Sequence, residues 1–374
     1  MGKSLKIVAD ENMPHIDALF GDFAELVKRP GRAMSSADVI DADALICRSI
    51  TRVNELLLGD SKVSFVGTAT IGTDHLDIDW LESHNIRWAS APGCNAAAVA
   101  QYVMSAIAYW LRKNKKVLSD ITVGIVGAGN VGSALARCLQ QLGVKFCLCD
   151  PPLARQGEPR AMVSMSQILA CDVISLHVPL NRQGQDRTFH LFDTEVLQRL
   201  SPGQLLINAS RGAVVDNTAL LNYLSSRSPA SVVLDVFEGE PQIDMTLASR
   251  CLLATPHIAG HTLEGKSRGS FQIYQALCQH FKIPQSKTFD ELLPQNNRLK
   301  ASANPLDTLL QIYPIKNDSN RLLHKCRSQQ DVQTVATHFD ELRKDYLVES
   351  ESIVRRDYSG WSVTGHFPSF ELFN

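Results

Sequence analysis

The chain has little net charge and no long block of either sign. Its 374 residues carry 37 lysines and arginines against 39 aspartates and glutamates, a formal net charge of −2. That balance argues against a nucleic-acid footprint and favours a small-molecule partner. The chain also lacks an unbroken apolar run of spanning length. The longest, AAAVAQYVMSAIAYWL (96–111), is interrupted by Gln101 and Ser105 and falls short of the roughly 20 residues a span needs. It reads as a core or interface helix, and no membrane partner is expected. The nine cysteines are scattered and form no finger-like repeat, so no zinc module is indicated. The nearest pair, Cys147 and Cys149, lies in KFCLCD, which reads as a buried strand. No signal-peptide pattern opens the sequence, and reduced thiols in the cytoplasm are the expectation. Internal repeats and low-complexity tracts are missing as well.

What is present is an alternation of apolar strands with helical stretches, the pattern of parallel sheets with crossover helices. LKIVADENMP, DALICRS (43–49) and VSFVGTATIGTDHLD (63–77) form a first series, whose ends carry Ser, Thr, Gly and Asp. After the APGCN turn and the long helix comes a second series: TVGIVGAG, KFCLCD, VISLHVPL, QLLINASRG, SVVLDVF and CLLATPHIAG. From 261 to about Phe281 the pattern is helical, and beyond about 285 it turns polar, with one further helix expected in VQTVATHFDELRKDYLVE. The fold class read from this is α/β, with two doubly wound parallel-sheet domains. The expected divisions are 1–96, completed by 261–285, then 97–260, then a tail over 286–374.

The strongest motif is TVGIVGAGNVGSALARCLQQLG. Gly127, Gly129 and Gly132 form G-x-G-x-x-G directly after a β-branched strand and before a helix. The first glycine permits a tight turn, the second close approach of a pyrophosphate, and the third helix–strand packing, while the helix N-terminus offers free N–H groups. Asp150 follows about 20 residues on, at the end of the next strand, where a carboxylate accepts from ribose hydroxyls and repels a 2′-phosphate. NAD, in preference to NADP, is the expected cofactor. The bland alternative is a glycine turn with a capping aspartate and no ligand.

Three further segments each bring an ionisable group to a strand end: Arg211 in INASRGAVVDNTAL, Glu240 in LDVFEGEP and His257 in TPHIAG. Oxidising a 2-hydroxy acid requires these types. A base takes the hydroxyl proton, and histidine is suited to that near neutrality. A guanidinium holds the carboxylate with two parallel bonds. A carboxylate beside the imidazole fixes its tautomer and stabilises the imidazolium. Singly, each has an ordinary reading as a surface charge, a turn residue or a structural histidine. Together, downstream of a dinucleotide fingerprint, they read as catalytic machinery.

The order of glycine loop, NASRG, DVFEGEP and PHIAG resembles the D-isomer-specific 2-hydroxy acid dehydrogenases. DENMP (10–14), RSIT (48–51), VGTATIGTDH (66–75), APGCNA (91–96), RGAVVDNTALL (211–221) and HTLEGK (261–266) narrow the likeness to a branch acting on a phosphorylated acid. It covers roughly residues 5–280 and continues faintly through FDELRKDYL (339–347). The resemblance implies a substrate domain, a Rossmann NAD domain and a C-terminal α+β dimerisation domain, with oxidation at C2 to a 2-oxo acid. It implies His257 as acid/base, Glu240 as its partner and Arg211 as the carboxylate-binding cation. Asn130 and Val131 would begin the helix at the pyrophosphate. Asp150, Val178, the run Ala209, Ser210 and Arg211, Asp235 and Gly260 would line the cofactor site. Ser49 and Thr70 fall where the family contacts substrate. His261 stands where a substrate-contacting tyrosine is usual, and Gln101 where glutamate is expected. Arg48 is an additional anion contact inferred from charge alone, against a solvent-facing alternative.

His257 and His261 are four apart, a spacing that on a helix would let two rings share a metal. Gly260 breaks regular structure between them and no acidic third ligand stands at suitable spacing, so no metal is expected. His177 in SLHVPL reads as a packed strand-end residue. Two rival readings remain: another 2-hydroxy acid dehydrogenase, acting on 3-phosphoglycerate or D-lactate, or a dinucleotide-sensing binding protein with little turnover.

Overall fold

The computed structural model describes residues 5–326, 331–344, 346 and 354–367. The chain divides into two compact units, Met1–Asn95 with Thr262–Gln295 and Ala96–His261 with Asn296–Asn374.

In the first unit five strands form one parallel sheet: β1 (Leu5–Asp10), β2 (Ala24–Arg29), β3 (Ala44–Cys47), β4 (Phe65–Thr68) and β5 (Arg87–Ala89), ordered β2-β1-β3-β4-β5. β3 and β4 are buried along their whole length, as strands covered on both faces must be, which is why they read as continuous apolar runs. The helix Leu263–Phe281 returns to this sheet and places Ile273, Tyr274, Leu277 and Cys278 in one core with Ile7, Phe20, Ile46 and Phe65. The approach is so close that a Cβ on Gly67 would lie 2.4 Å from Cγ2 of Ile273.

The second unit opens with the helix Ala96–Asn114 and continues through β6 (Thr122–Val126), β7 (Lys145–Cys149), β8 (Val173–Leu176), β9 (Leu205–Asn208), β10 (Ser231–Leu234) and β11 (Leu253–Ala254). These pair in parallel in the order β11-β10-β9-β8-β6-β7. β7 lies on one side of β6 and β8 on the other, so the strand order reverses at β6. The loop after β6 therefore opens into the crevice where doubly wound sheets bind ligands. Tyr102 and Trp110 of the opening helix are fully buried against this sheet.

The tail is α+β: a parallel pair, β12 (Asn297–Lys300) with β13 (Trp361–Thr364), and helices Pro305–Ile312, Ile315–Cys326 and Val332–Lys344. Leu309, Ile312 and Tyr313 enter the core around Ala96–Asn114, and Leu322 and Phe339 enter the core that contains Leu220 and Phe237. From Asn296 onward the tail thus groups with the second sheet, while 262–295 group with the first. The helix expected over 332–349 is helical as far as Lys344, and of its last five residues only Tyr346 lies within the described residues. Among the described residues no helix is long and apolar enough to cross a membrane.

Candidate active site

The glycine loop between β6 and the helix Asn130–Gln141 has the shape a dinucleotide requires. Gly127 adopts φ +92°, and a Cβ there would fall 2.4 Å from the carbonyl oxygen of His177. At Gly132 a Cβ would stand 2.0 Å from the oxygen of Gly127, so only glycine lets helix and strand meet. Nothing lies within 4 Å of a Cβ built on Gly129, and that residue caps the helix with no side chain bonded to its first turn. Open space thus faces uncapped N–H groups beginning at Asn130 and Val131, the arrangement that accepts a pyrophosphate. Asp150 at the end of β7 accepts from the N–H of Ala128 at 2.9 Å and caps the following short helix through Leu153 N at 3.1 Å. Its carboxylate is anchored by backbone N–H groups and keeps acceptor capacity for ribose hydroxyls. The residues fit NAD.

Arg160, which the sequence did not single out, also holds this loop. Its guanidinium donates to Ala128 O at 2.9 Å and Ser133 Oγ at 2.7 Å, and it pairs with Glu158. Val178, two residues past β8, contributes the side chain nearest the extra methyl that Gly127 forbids, at 3.0 Å. His177 lies beside it with Nε2 2.9 Å from Ser175 Oγ, and burial drives its pKa down to about 3.

Arg211, Glu240 and His257 follow β9, β10 and β11 of the same sheet. Nδ1 of His257 lies 2.7 Å from Oε2 of Glu240, and Oε1 of that carboxylate accepts from Phe237 N at 2.7 Å. Burial works to raise the Glu240 pKa, but the imidazole, by charge and hydrogen bond, and the Phe237 N–H together hold it below the ordinary value. The carboxylate therefore stays charged at neutral pH. His257 itself has φ +56°, a conformation unusual for a non-glycine residue. Its N–H donates to Asp235 O at 2.7 Å.

Asp235 is fully buried just past β10. Its Oδ1 accepts from Thr255 Oγ1 at 2.6 Å and Ile258 N at 2.8 Å, its Oδ2 from Ala259 N at 2.8 Å. Burial raises its pKa, an effect these donors and His257 only partly offset. Arg211 is half-buried after the run Ala209 and Ser210, with Nη1 2.9 Å from Ser210 O, and Asn208 steadies the turn by donating to Arg211 O. Gly260 and His261 complete the loop, and the His261 N–H closes a turn onto Ile258 O at 2.9 Å.

The remaining sequence-selected residues belong to the first unit. Arg48 follows β3 and forms a two-pronged ion pair with fully buried Asp10, at 3.0 and 3.1 Å, so its charge is already partnered. Ser49 is exposed in the turn that follows. Thr70, past β4, shares a 2.8 Å hydroxyl contact with Thr68, whose oxygen lies 2.9 Å from Nε2 of His75.

Among the described residues one group has potential metal-ligand atoms within 4.8 Å of one another: His190, Asp216 and Glu238. Its imidazole spans the two carboxylates through opposite nitrogens, Nε2 to Glu238 at 3.0 Å and Nδ1 to Asp216 at 3.5 Å. Each ring nitrogen thus faces a carboxylate oxygen. All nine cysteines are free thiols.

Residues 98–259 match the family model described as D-isomer specific 2-hydroxyacid dehydrogenase, NAD binding domain. The erythronate-4-phosphate dehydrogenase of Pseudomonas entomophila is 48% identical over 92% of this chain and 92% of its own length. The one from Tolumonas auensis is 43% identical over 98% and 97%. Among solved structures, NAD-bound 3-phosphoglycerate dehydrogenase from Entamoeba histolytica superposes with a TM-score of 0.64 at 23% identity, covering 77% of this chain and 100% of that one. At such identity the second likeness speaks for the fold. The first, at nearly half the residues over nearly the whole length, places the sequence more narrowly: the chain belongs to the erythronate-4-phosphate dehydrogenase family, within the D-isomer-specific 2-hydroxyacid dehydrogenases.

Proposed function

We propose that this chain oxidises 4-phospho-D-erythronate at C2 to 2-oxo-3-hydroxy-4-phosphobutanoate, a step of pyridoxal phosphate (vitamin B6) biosynthesis, with NAD as cofactor. The observation that carries the chemistry is the 2.7 Å contact between His257 and Glu240. Bound NAD supplies the acceptor for the hydride that leaves C2. The chain's residues do the rest. Glu240, charged at neutral pH, accepts a hydrogen bond from Nδ1–H and so fixes the tautomer whose Nε2 lone pair receives the hydroxyl proton. The imidazolium formed is then stabilised by the same carboxylate. Arg211 holds the substrate carboxylate and draws electron density from the forming carbonyl. Asp235 keeps the loop of His257 in place from below.

For the cofactor we assign Gly127, Gly129, Asn130, Val131 and Gly132 to the pyrophosphate, Asp150 to the ribose, and Val178, Ala209, Ser210, Arg211, Asp235 and Gly260 to the remaining lining. Ser49, Thr70 and His261 are assigned to the substrate, with Arg48 as an additional anion contact beyond its pair with Asp10. We read the chain as substrate-binding over 1–96 and 261–285, NAD-binding over 97–260 and dimerising through 286–374, working in the cytoplasm as a homodimer on a phosphorylated acid.

The test offers purified protein 4-phospho-D-erythronate, 3-phospho-D-glycerate and D-lactate in parallel and follows NADH, with a duplicate set that includes a 2-oxo acid acceptor and is read by direct assay of the 2-oxo product. Oxidation of the four-carbon phosphate alone, lost in His257→Ala, supports both substrate and mechanism. Turnover of the three-carbon phosphate or of lactate reassigns the substrate, and bound NAD with no turnover of any of the three makes the protein a dinucleotide sensor.

A further inference from the structure

Arg355 lies 98 residues beyond His257 in the sequence, yet its guanidinium is buried against the histidine loop. Nη1 donates to Ile258 O at 2.8 Å, and Nη2 to Ala259 O at 3.1 Å and to Ala98 O at 3.0 Å. Nε donates to Oε1 of Gln101 at 3.2 Å. The guanidinium also stacks on the ring of Tyr313, 3.8 Å from its centroid. The planar fork of arginine is suited to several fixed acceptors at once, which the point charge of lysine is not.

The acceptors matter because of what holds their other side. The N–H groups of Ile258 and Ala259 both point at the Asp235 carboxylate, each at 2.8 Å. The peptide joining Ile258 to Ala259 thus has its carbonyl on a buried cation and its N–H on a buried anion. Fixed charges of opposite sign at the two ends of one peptide dipole lock its plane, more so where water is excluded. That peptide follows directly on His257, whose φ of +56° needs its surroundings to hold it.

The cation is itself supported by the tail. Asp318 accepts from Tyr313 at 2.7 Å and Tyr346 at 2.5 Å, which sets an anion and two phenols beside Arg355. Ser319 Oγ, one residue on, accepts from Ala254 N at 3.2 Å, tying the tail helix to β11 just ahead of the histidine loop. Gln101, where the family resemblance implies glutamate, has a task that an amide performs: it accepts from Arg355 and donates from Nε2 to Arg356 O at 2.9 Å.

We propose that Arg355 is a positioning residue for the reaction, a guanidinium from the C-terminal segment that, opposite Asp235, holds the Ile258–Ala259 peptide and thereby aims His257. This rests on the reading of His257 as the acid/base. It extends that reading by making catalytic geometry depend on the tail, which the NAD-binding fold alone does not supply.

The test uses the full chain carrying Arg355→Met, Arg355→Lys or His257→Gln, each checked for folding by circular dichroism and thermal unfolding. The readouts are kcat, KM for both substrates, the pH profile of kcat, and rescue by ethylguanidinium. A misaimed group loses rate steeply with small displacements. Arg355→Met is therefore expected to lower kcat about tenfold or more, to shift the pH profile, to leave KM for NAD within about threefold, and to recover in part with ethylguanidinium. Arg355→Lys is expected to lie between it and the parent. Parental kcat and pH profile in a folded Arg355→Met protein overturn the proposal, as does a loss that ethylguanidinium leaves untouched. If Arg355→Met does not fold, Arg355→Lys decides alone: parental kcat and pH profile overturn the proposal, and a lowered kcat with a shifted profile upholds it. Turnover retained in His257→Gln removes the acid/base reading and this proposal with it. An inactive His257→Gln beside fully active Arg355 variants removes this proposal alone.

Discussion

The hydroxyl of Thr255 donates to Oδ1 of Asp235 at 2.6 Å, and both side chains are buried. The same Thr255 oxygen lies 2.7 Å from the hydroxyl of Tyr102 in the opening helix of the second unit. One threonine thus joins the carboxylate beneath the histidine loop to the largest buried helix of its unit. Thr255→Val keeps the shape and removes both contacts, leaving a buried carboxylate short of a donor. A hydrogen bond to a charged group contributes about 1.5–3 kcal/mol, and a loss of that order is expected, read as a lowered urea midpoint with an unchanged m-value.

Glu240→Gln probes the pair in a different way. One end of the carboxamide is an NH2 group, yet both ends of the present carboxylate face donors, Phe237 N–H and the imidazole. The variant must turn a donor against a donor, lose one contact, or shift the imidazole to the tautomer with its hydrogen on Nε2, which cannot receive the hydroxyl proton. It also loses the charge that stabilises the imidazolium. A fall in kcat of about 10²-fold or more is expected, the scale of general acid–base contributions, with KM for NAD little changed. Steady-state kinetics across pH 6 to 9 reads it.

The glycine loop separates folding from binding. Gly132→Ala drives a methyl to 2.0 Å from Gly127 O and is expected to lower thermal stability and abolish NAD binding together. Gly129→Ala meets nothing within 4 Å and has an ordinary negative φ of −70°. It is expected to leave the melting temperature of the free protein within a degree or two and to weaken NAD at least tenfold, measured by calorimetric titration. Equal NAD affinity in Gly129→Ala would show that the open space there is not used.

Acid sensitivity has an identifiable source in His75. Burial pushes its pKa down to about 4 in spite of nearby Asp74, and its Nε2 faces Thr68 Oγ1. The unfolded chain, with an ordinary histidine value, binds the proton first. Folding stability from this group is therefore intact above about pH 6.5 and is lost as pH falls from there toward 4, by roughly 1.4 kcal/mol per pH unit. His177, pushed down to about 3, acts in the same direction. His75→Gln is expected to flatten the fall in urea midpoint between pH 6.5 and 5; an unaltered slope would exonerate this ring.

How far the molecule was readable in advance follows from the physics of each part. Parallel strands buried on both faces leave continuous apolar runs, so VGIVGAG and VVLDVF announced themselves, and the glycine loop carries its own spacing. Arg211, Glu240 and His257 were visible because each closes a strand-like run, and parallel order brings such ends to one edge. Contacts that depend on returning chain left no such trace. Nothing near Arg48 in sequence points to Asp10, 38 residues earlier. Arg160 reaching Ala128, His190 bridging Glu238, and Arg355 reaching Ile258 all pair residues whose separation has no period. Gln101 looked like an unexplained departure because both of its partners, Arg355 and Arg356, lie about 255 residues away.

Each unit is assembled from two separate stretches of chain, and the stretches alternate: first, second, first, second. During synthesis the first sheet lacks Ile273, Tyr274 and Leu277 until the helix that bears them has left the ribosome, and the second lacks Leu309, Tyr313 and Leu322 for longer still. Nascent chains must therefore keep two half-covered apolar sheets apart at the same time, a situation that invites aggregation and chaperone attention. The same interleaving means that no single cut of the gene yields either unit whole and by itself.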